Sequence, residues 1–135
     1  MAFDIRQLPK VLLHEHLDGG LRPQTVIDLA KAVGYTGLPT DNAADLGAWF
    51  HRGANRGSLP LYLEGFAHTI AVMQTRPAIE RVAFEFIEDM FHDGVVYAEV
   101  RFAPCFHRER GLTDEAIVHA VIDGLNRGRE KYGVE

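Results

Sequence analysis

The sequence predicts an α/β fold: a partial TIM (β/α)8 barrel made of the first two strands with their helices, truncated before strand three. Two apolar segments of strand-like composition are separated by segments of helical periodicity. Such alternation also fits a doubly wound sheet, but metal-binding residue types at the end of a strand favour the barrel, whose active sites lie at that face. A whole barrel needs ~250 residues, so residues 1–135 are expected to be the N-terminal portion of one barrel domain.

The first predicted strand ends in a group of polar residues. Residues 8–20 read Leu-Pro-Lys-Val-Leu-Leu-His-Glu-His-Leu-Asp-Gly-Gly. Because side chains alternate along a strand, one face should carry Leu12, His14, His16 and Asp18, and the other Val11, Leu13, Glu15 and Leu17. Residues two apart lie about 7 Å from each other, so both imidazoles can bind one metal ion. His14 and His16 are therefore candidate metal ligands.

Four helical segments are predicted between the two strands. The first runs from Val26 to Val33, where Gly34 is placed to end the helix. A polar excursion then contains a short candidate helix, Ala43 to His51, which Trp49 and Phe50 are expected to anchor.

Two longer helices are predicted before the second strand. One runs from Leu59 to Met73 with Ser58 as its candidate N-cap. Arg76-Pro77 interrupts the pattern, and the apolar series from Ile79 to Phe91 then keeps helical phasing until Asp93-Gly94.

The second predicted strand, Val95 to Pro104, is mostly apolar, as in a strand covered on both faces. Val96, Ala98, Val100 and Phe102 should share one side, and Tyr97, Glu99 and Arg101 the other, where Glu99 and Arg101 are expected to pair or hydrogen-bond in a polar barrel interior. A loop from Cys105 to Leu112 leads to a helix that Thr113 caps and Gly133 ends. Val134-Glu135 should begin a third strand, and Cys105 is expected to be a packed small residue.

Composition excludes several classes of partner. The net charge is −5 and there is no basic cluster, which argues against nucleic acid. No apolar run approaches the ~20 residues that span a bilayer, and the N-terminus lacks a signal-peptide layout. A single cysteine forbids an intrachain disulfide, which fits a reducing cytoplasm. We expect a cytoplasmic protein with neither membrane nor nucleic-acid partners.

Three segments together resemble the adenosine deaminase family of the metal-dependent amidohydrolase superfamily. They are Leu8-Pro9-Lys10-Val11 through His14-x-His16-Leu17-Asp18-Gly19 with Pro23-x-Thr25, then Leu59-Pro60-x-Tyr62-Leu63-x-x-Phe66, and finally Val95 to Pro104. The resemblance covers nearly the whole chain. His-x-His alone is shared by the superfamily, whereas the added Leu-Asp-Gly and the second-strand run are specific.

The resemblance implies zinc-dependent hydrolytic deamination of adenosine and deoxyadenosine to inosine and deoxyinosine. His14 and His16 match the first two Zn2+ ligands, and Asp18 matches a residue that bonds a ribose hydroxyl. Tyr62, Leu63 and Phe66 fall where the family closes an apolar lid over its nucleoside substrate. A third and a fourth histidine, the general acid/base glutamate and a metal-binding aspartate would lie beyond residue 135. No catalytic residue is therefore expected within this chain, which alone should be inactive.

Other possibilities stay open at this stage. The protein could deaminate adenine or another modified adenosine, or the chain could be a non-catalytic piece that pairs with the C-terminal remainder of the barrel or with itself.

Glu15 departs from the family pattern, which has an apolar residue between the histidines. His107-Arg108-Glu109 and Pro104-Cys105 imitate another zinc deaminase class, but their order is reversed and the second cysteine is missing. Of the remaining histidines, 51, 68, 92 and 119 are expected at the surface or in packing, and His107 at the active-site face.

Overall fold

The computed structural model describes residues 4–5 and 8–135, and the predicted order of strand, helices, strand and helix is confirmed. In chain order the elements are β1 (Lys10–His16), α1 (Pro23–Val33), α2 (Ala43–Ala54), α3 (Leu59–Val72), α4 (Arg76–His92), β2 (Val95–Arg101) and α5 (Asp114–Tyr132). A short 3-10 helix, Pro104–His107, follows β2. Within the described residues, no helix is long and apolar enough to cross a membrane.

Local sequence signals set most of the helix ends. Gly34 and Gly133 adopt left-handed backbone conformations, each with φ of 72°, at the ends of α1 and α5. The Thr113 hydroxyl accepts a hydrogen bond from the Ala116 N–H at 3.2 Å, as predicted for an N-cap. Ser58 occupies the N-cap position of α3, but its side chain makes no capping hydrogen bond.

The two strands are parallel neighbours. The backbone of Glu135 also pairs with β2, because its N–H donates to the Val96 carbonyl at 3.1 Å and its own carbonyl accepts from the Ala98 N–H at 2.7 Å. This pairing agrees with the third strand expected to begin at Val134-Glu135.

An irregularity in β1 reverses which side chains are exposed. From Leu12 to Glu15, β1 advances three residues while its partner β2 advances two, from Ala98 to Val100. Such a bulge inverts the alternation of side chains. The predicted grouping is therefore wrong in part: Leu12 packs against the core, whereas Val11 and Leu13 are 57% and 61% exposed. His14 and His16 are also exposed.

Strand β2 follows its predicted alternation with one exception. Ala98, Val100 and Phe102 pack against the core, and Tyr97, Glu99 and Arg101 are exposed. Val96 was expected with the first group but is 49% exposed. It lies where the register skips from Lys10↔Val95 to Val11↔Tyr97, so it has no direct partner on β1.

Helices α4 and α5 form the best-packed part of the core. Their buried residues include Ile79, Val82, Ala83, Phe86, Ile87, Ile117, Ala120 and Val121. Two glycines of α5 allow close approach: a β-carbon on Gly124 would lie 2.5 Å from the Glu80 carbonyl oxygen, and one on Gly128 would lie 2.6 Å from Ile87 Cβ.

The segment that leads from β1 into α1 is fixed at its far end by Arg22. Its guanidinium lies 3.0 Å (Nε) from Asp89 Oδ1 and 2.7 Å (Nη2) from Glu88 Oε2. The hydrogen bond to Asp89 is the main reason why the pKa of Arg22 lies above its ordinary value. Leu17 is 2% exposed, so the segment that carries Asp18 is held both by the core and by α4.

Candidate metal and substrate site

His14 and His16 stand side by side at the C-terminal end of β1. Their ring centroids are 5.5 Å apart and the rings are tilted by 51°. The Arg101 guanidinium lies 3.1 Å from His14 Nε2. Because an arginine only donates, Nε2 must accept this hydrogen bond and carry no proton. The Nε2 lone pair of His14 is thus engaged by Arg101 on the exposed face of the sheet, and a metal could use it only in place of the guanidinium.

These two imidazoles fit half of a zinc site. Neutral imidazole nitrogen is a common zinc ligand, and a tetrahedral site needs four ligands in total. Within residues 4–5 and 8–135, no group of three or more His, Cys, Asp or Glu side chains is arranged to hold a metal ion. A metal bound through His14 Nε2 would replace the Arg101 hydrogen bond, and the exposed guanidinium is not held there by packing. The chain can therefore supply two ligands, and the others must come from elsewhere.

Asp18 lies close to His16. Of its two carboxylate oxygens, one is hydrogen-bonded and the other has no hydrogen-bond partner among the described residues. The residue is 4% exposed. Its Oδ2 accepts a hydrogen bond from the Ala103 N–H at 3.4 Å, which ties it to the loop after β2. Its Oδ1 lies 3.9 Å from His16 Nδ1 and has no hydrogen-bond partner among the residues that the structure describes. A buried acceptor without a donor is costly, so this oxygen is suited to a hydroxyl that a ligand brings.

Two of the three expected lid residues face the turn that follows Asp18. The Phe66 ring lies edge-on to His16 at 6.4 Å, and Tyr62 packs on Phe66 at 5.9 Å. Both line a cavity of about 420 Å³ that reaches Gly19. Leu63 is 47% exposed and is not among the residues that line this cavity.

The excursion that contains α2 is anchored to the lid helix α3 as predicted, by Trp49 and Phe50. Trp49 contacts the rings of Phe50 and His68 at 5.3 and 5.2 Å. His68 Nδ1 also lies 2.8 Å from the Tyr35 hydroxyl, which joins α3 to the end of α1. Burial lowers the pKa of His68 below its ordinary value.

The polar face of β2 has hydrogen bonds that the sequence analysis did not specify. Glu99 accepts a hydrogen bond from the Tyr97 hydroxyl at 2.9 Å, which raises the pKa of Tyr97, and Arg101 turns to His14. Of the two arrangements expected for Glu99 and Arg101, pairing with each other is not found, because each side chain instead hydrogen-bonds another partner on this face. Glu15 is half-buried and makes no hydrogen bond or ion pair with any other residue that the structure describes.

The sequence predicted that His107 lies at the active-site face, but it did not indicate that the side chain is buried or which residues it contacts. Its side chain is 0% exposed, and its Nδ1–H donates to the Met73 carbonyl at 3.0 Å. Its Nε2 lies 4.0 Å from Asp18 Oδ2 and has no hydrogen-bond partner. Burial is the main cause of the lowered pKa of His107. Proximity to the end of β2 was the one available signal, since its hydrogen-bond partner Met73 and its neighbour Asp18 are distant in sequence.

The other residues near this loop give one correction. Cys105 was expected to be packed, but it is exposed on the short 3-10 helix, where no second layer covers it. His51, His92 and His119 are exposed and His68 packs between helices, as expected.

Comparison with known proteins gives one consistent family. The family model described as adenosine deaminase matches residues 9–135. The adenosine deaminase of Mycobacterium ulcerans is 58% identical over 124 residues, which are 92% of this chain and 34% of that protein. The chain thus spans about a third of the length of the curated relatives it matches.

Solved structures agree with this result. An adenine deaminase from Arthrobacter aurescens is 28% identical with a TM-score of 0.79, covering 94% of this chain and 37% of that one. An amidohydrolase from Burkholderia ambifaria with bound Zn is 25% identical with a TM-score of 0.75, covering 96% and 34%. These neighbours are full TIM barrels, so the predicted partial barrel is confirmed.

Proposed function

We propose a function for a chain that belongs to the adenosine deaminase family. In a protein that joins residues 1–135 to the rest of a barrel, we infer hydrolytic deamination of adenosine and deoxyadenosine to inosine and deoxyinosine, with Zn2+ as the cofactor. In this proposal the chain is the N-terminal portion of one amidohydrolase-type barrel domain. A cytoplasmic location is part of the same proposal and is supported by the single cysteine.

One observation carries the proposal: the buried carboxylate of Asp18 has an unpartnered Oδ1 on the side of His16. A carboxylate can only accept hydrogen bonds, so the group that completes it must be a donor. A sugar hydroxyl is such a donor, and it would be held within reach of the two imidazoles.

The residues of this chain then have distinct roles. His14 and His16 bind the metal, which when bound makes a water molecule acidic enough to lose a proton near neutral pH. Asp18 accepts the ribose hydroxyl and so orients the nucleoside. Tyr62 and Phe66, with Leu63 at the rim, cover the substrate and exclude bulk water. The general acid/base is not in this chain and would come from the remainder of the barrel.

The test joins residues 1–135 to the remaining two-thirds of the Mycobacterium ulcerans relative; this protein is called the chimera below. Adenosine loss is followed by ultraviolet absorbance, with the unmodified relative as the control. We expect the chimera to deaminate adenosine, and the Asp18→Ala variant to lose at least tenfold in kcat/KM, because a charge-assisted hydrogen bond contributes roughly 1.5–3 kcal/mol. A folded, zinc-loaded chimera without adenosine turnover would contradict the proposal.

A second candidate, adenine deamination, is favoured by the similarity to the Arthrobacter aurescens structure. Adenine has no ribose, so Asp18→Ala should then leave its turnover nearly unchanged. A chimera that prefers adenine to adenosine, with no effect of Asp18→Ala on either substrate, would support this alternative instead.

A further inference from the structure

Asp18 and His107 form a buried polar pair that the proposed ligand roles do not explain. The Asp18 side chain is 5% exposed and the His107 side chain 0%. Each carries one buried polar atom without a hydrogen-bond partner, Oδ1 of Asp18 and Nε2 of His107. Since nearly all buried polar atoms in folded proteins are hydrogen-bonded, two unpartnered atoms on adjacent side chains require a reason.

The orientation of the His107 ring is fixed from outside the site. The Met73 carbonyl can only accept, so Nδ1 carries the proton and donates to it at 3.0 Å. The ring also packs against Phe102 at 6.0 Å. With Nδ1 held in this way, Nε2 must face Asp18 Oδ2, 4.0 Å away.

The same loop is held to α3 at a second point. Gln74 is 1% exposed, and its side-chain amide donates to the Phe106 carbonyl at 2.8 Å and accepts from the Glu109 N–H at 3.0 Å. The loop that carries His107 and Ala103 is therefore clamped to the end of the helix that also carries Tyr62 and Phe66. Both groups that face Asp18 Oδ2, the Ala103 N–H and the His107 ring, belong to this clamped loop.

We propose that His107 is a positioning residue: its ring supports Asp18 Oδ2 from behind and thereby keeps Oδ1 turned toward the substrate hydroxyl. The inference rests on the role proposed above for Asp18. Without the ring, a space opens behind the carboxylate, and rotation about its χ angles is no longer blocked. Asp18 would then spend less time in the orientation that accepts the hydroxyl, while the metal pair on β1 would be undisturbed.

Three variants of the chimera separate this role from a purely structural one. His107→Asn retains a donor near the position of Nδ1 and therefore the hydrogen bond to Met73. It removes the part of the ring that faces Asp18. His107→Gln places an amide near the position of Nε2, facing Asp18, and gives up the bond to Met73. His107→Phe fills the buried space without a polar edge and carries the test if the Asn variant does not fold.

The readout is the ratio of kcat/KM for adenosine to that for 2′,3′,5′-trideoxyadenosine, with zinc content measured in parallel. Asp18→Ala should lower this ratio about tenfold, the loss expected for one charge-assisted hydrogen bond. His107→Asn should lower it about fivefold, because the shorter side chain opens the space behind Oδ2, whereas His107→Gln and His107→Phe, which fill that space, should stay within about twofold. In the Asp18→Ala background, His107→Asn should have no further effect on the ratio.

Several results would overturn the inference. If His107→Gln lowers the ratio and His107→Asn does not, the bond to Met73 is what matters and the role is structural. If His107→Asn lowers kcat/KM for both substrates in parallel, Asp18 is not the group through which His107 acts. If Asp18→Ala itself leaves the ratio unchanged, the proposed role of Asp18 fails, and the inference about His107 fails with it.

Discussion

The ring of Phe66 lies directly against the backbone of Gly19: a β-carbon placed on Gly19 would lie 2.7 Å from Phe66 Cζ. The turn after Asp18 and the lid helix α3 are therefore in contact, and the contact depends on a residue without a side chain. Gly20, the next residue, has ordinary clearance, since the nearest atom to its β-carbon would be Glu15 Oε1 at 3.4 Å.

The first prediction is that Gly19→Ala in the chimera displaces Phe66 and weakens substrate binding. Overpacking of this kind costs roughly 1–3 kcal/mol, so KM for adenosine should rise about tenfold while zinc content stays constant. Gly20→Ala is the matched control and should change KM less than about twofold. In a Phe66→Ala background the Gly19 substitution should have no further effect; an equal effect with and without the ring would contradict the contact.

A second prediction concerns the packing of α5 on α4. Gly124→Ala should lower the free energy of unfolding of the chimera by about 1–3 kcal/mol, because the new methyl group would meet the Glu80 carbonyl oxygen at 2.5 Å and backbone cannot easily move away. The control is Gly53→Ala in α2, where nothing lies within 4 Å of the added β-carbon. That change should be neutral or should stabilise by up to about 1 kcal/mol. Thermal unfolding measures both, and equal melting temperatures for the two variants would refute the packing argument.

A third prediction is that α2 loosens from the lid helix α3 in acid through His68. Burial lowers the pKa of His68 in the folded protein, so a state in which α2 has moved away and exposed this ring binds a proton more readily. The stability that neutral His68 contributes is complete above its ordinary pKa of 6.5 and is lost as the pH falls below that value. Hydrogen exchange of residues 43–54 in the chimera, corrected for intrinsic rates, should therefore be faster at about pH 5.5 than at about pH 7.5.

The control for this experiment is His68→Phe, which keeps an aromatic ring against Trp49 and removes the titrating group. Its exchange at residues 43–54 should respond less to pH than that of the parent. An identical acid response in both proteins would show that His68 is not responsible.

Local features of the fold, such as the helix ends, could be predicted better than the alignment of the two strands. Gly34, Thr113 and Gly133 act on their own neighbours, so the ends of α1 and α5 follow from local sequence. The bulge in β1 depends on how two segments that are distant in sequence align, and no residue type near Leu12 predicts it. For that reason the same-face argument correctly placed the two histidines side by side but assigned Leu12, Val11 and Leu13 to the wrong sides.

In the candidate site, too, residues in short motifs could be predicted, whereas contacts between distant segments could not. Asp18, Tyr62 and Phe66 were identified because they belong to short motifs that the sequence displays. His107 was not assigned a role, because its importance comes from α3 and Asp18, which are distant in sequence and meet it only after folding. Likewise, Glu99 and Arg101 were paired by proximity, whereas Tyr97 and His14 provide the partners.

A fourth prediction concerns the 135-residue chain made alone. Val11 and Leu13 are 57% and 61% exposed on the sheet, and Val118 and Ile122 are 37% and 43% exposed on α5. Apolar patches of this kind drive association, so the chain should sediment as oligomers or aggregates and should not deaminate adenosine. Leu13→Glu should reduce the association. A cooperatively melting monomer would contradict the first expectation, and turnover by the isolated chain the second.

The central claim is that this chain contributes two of the ligands of a zinc site, and the zinc content of the purified chimera tests it most directly. The parent should bind ~1 zinc ion per molecule, as a catalytic site of this kind does, and His14→Ala and His16→Ala should each lose most of the metal together with the activity. His51→Ala, which removes an exposed histidine from α2, should retain both. Full zinc occupancy and activity in both the His14 and His16 variants would contradict the account.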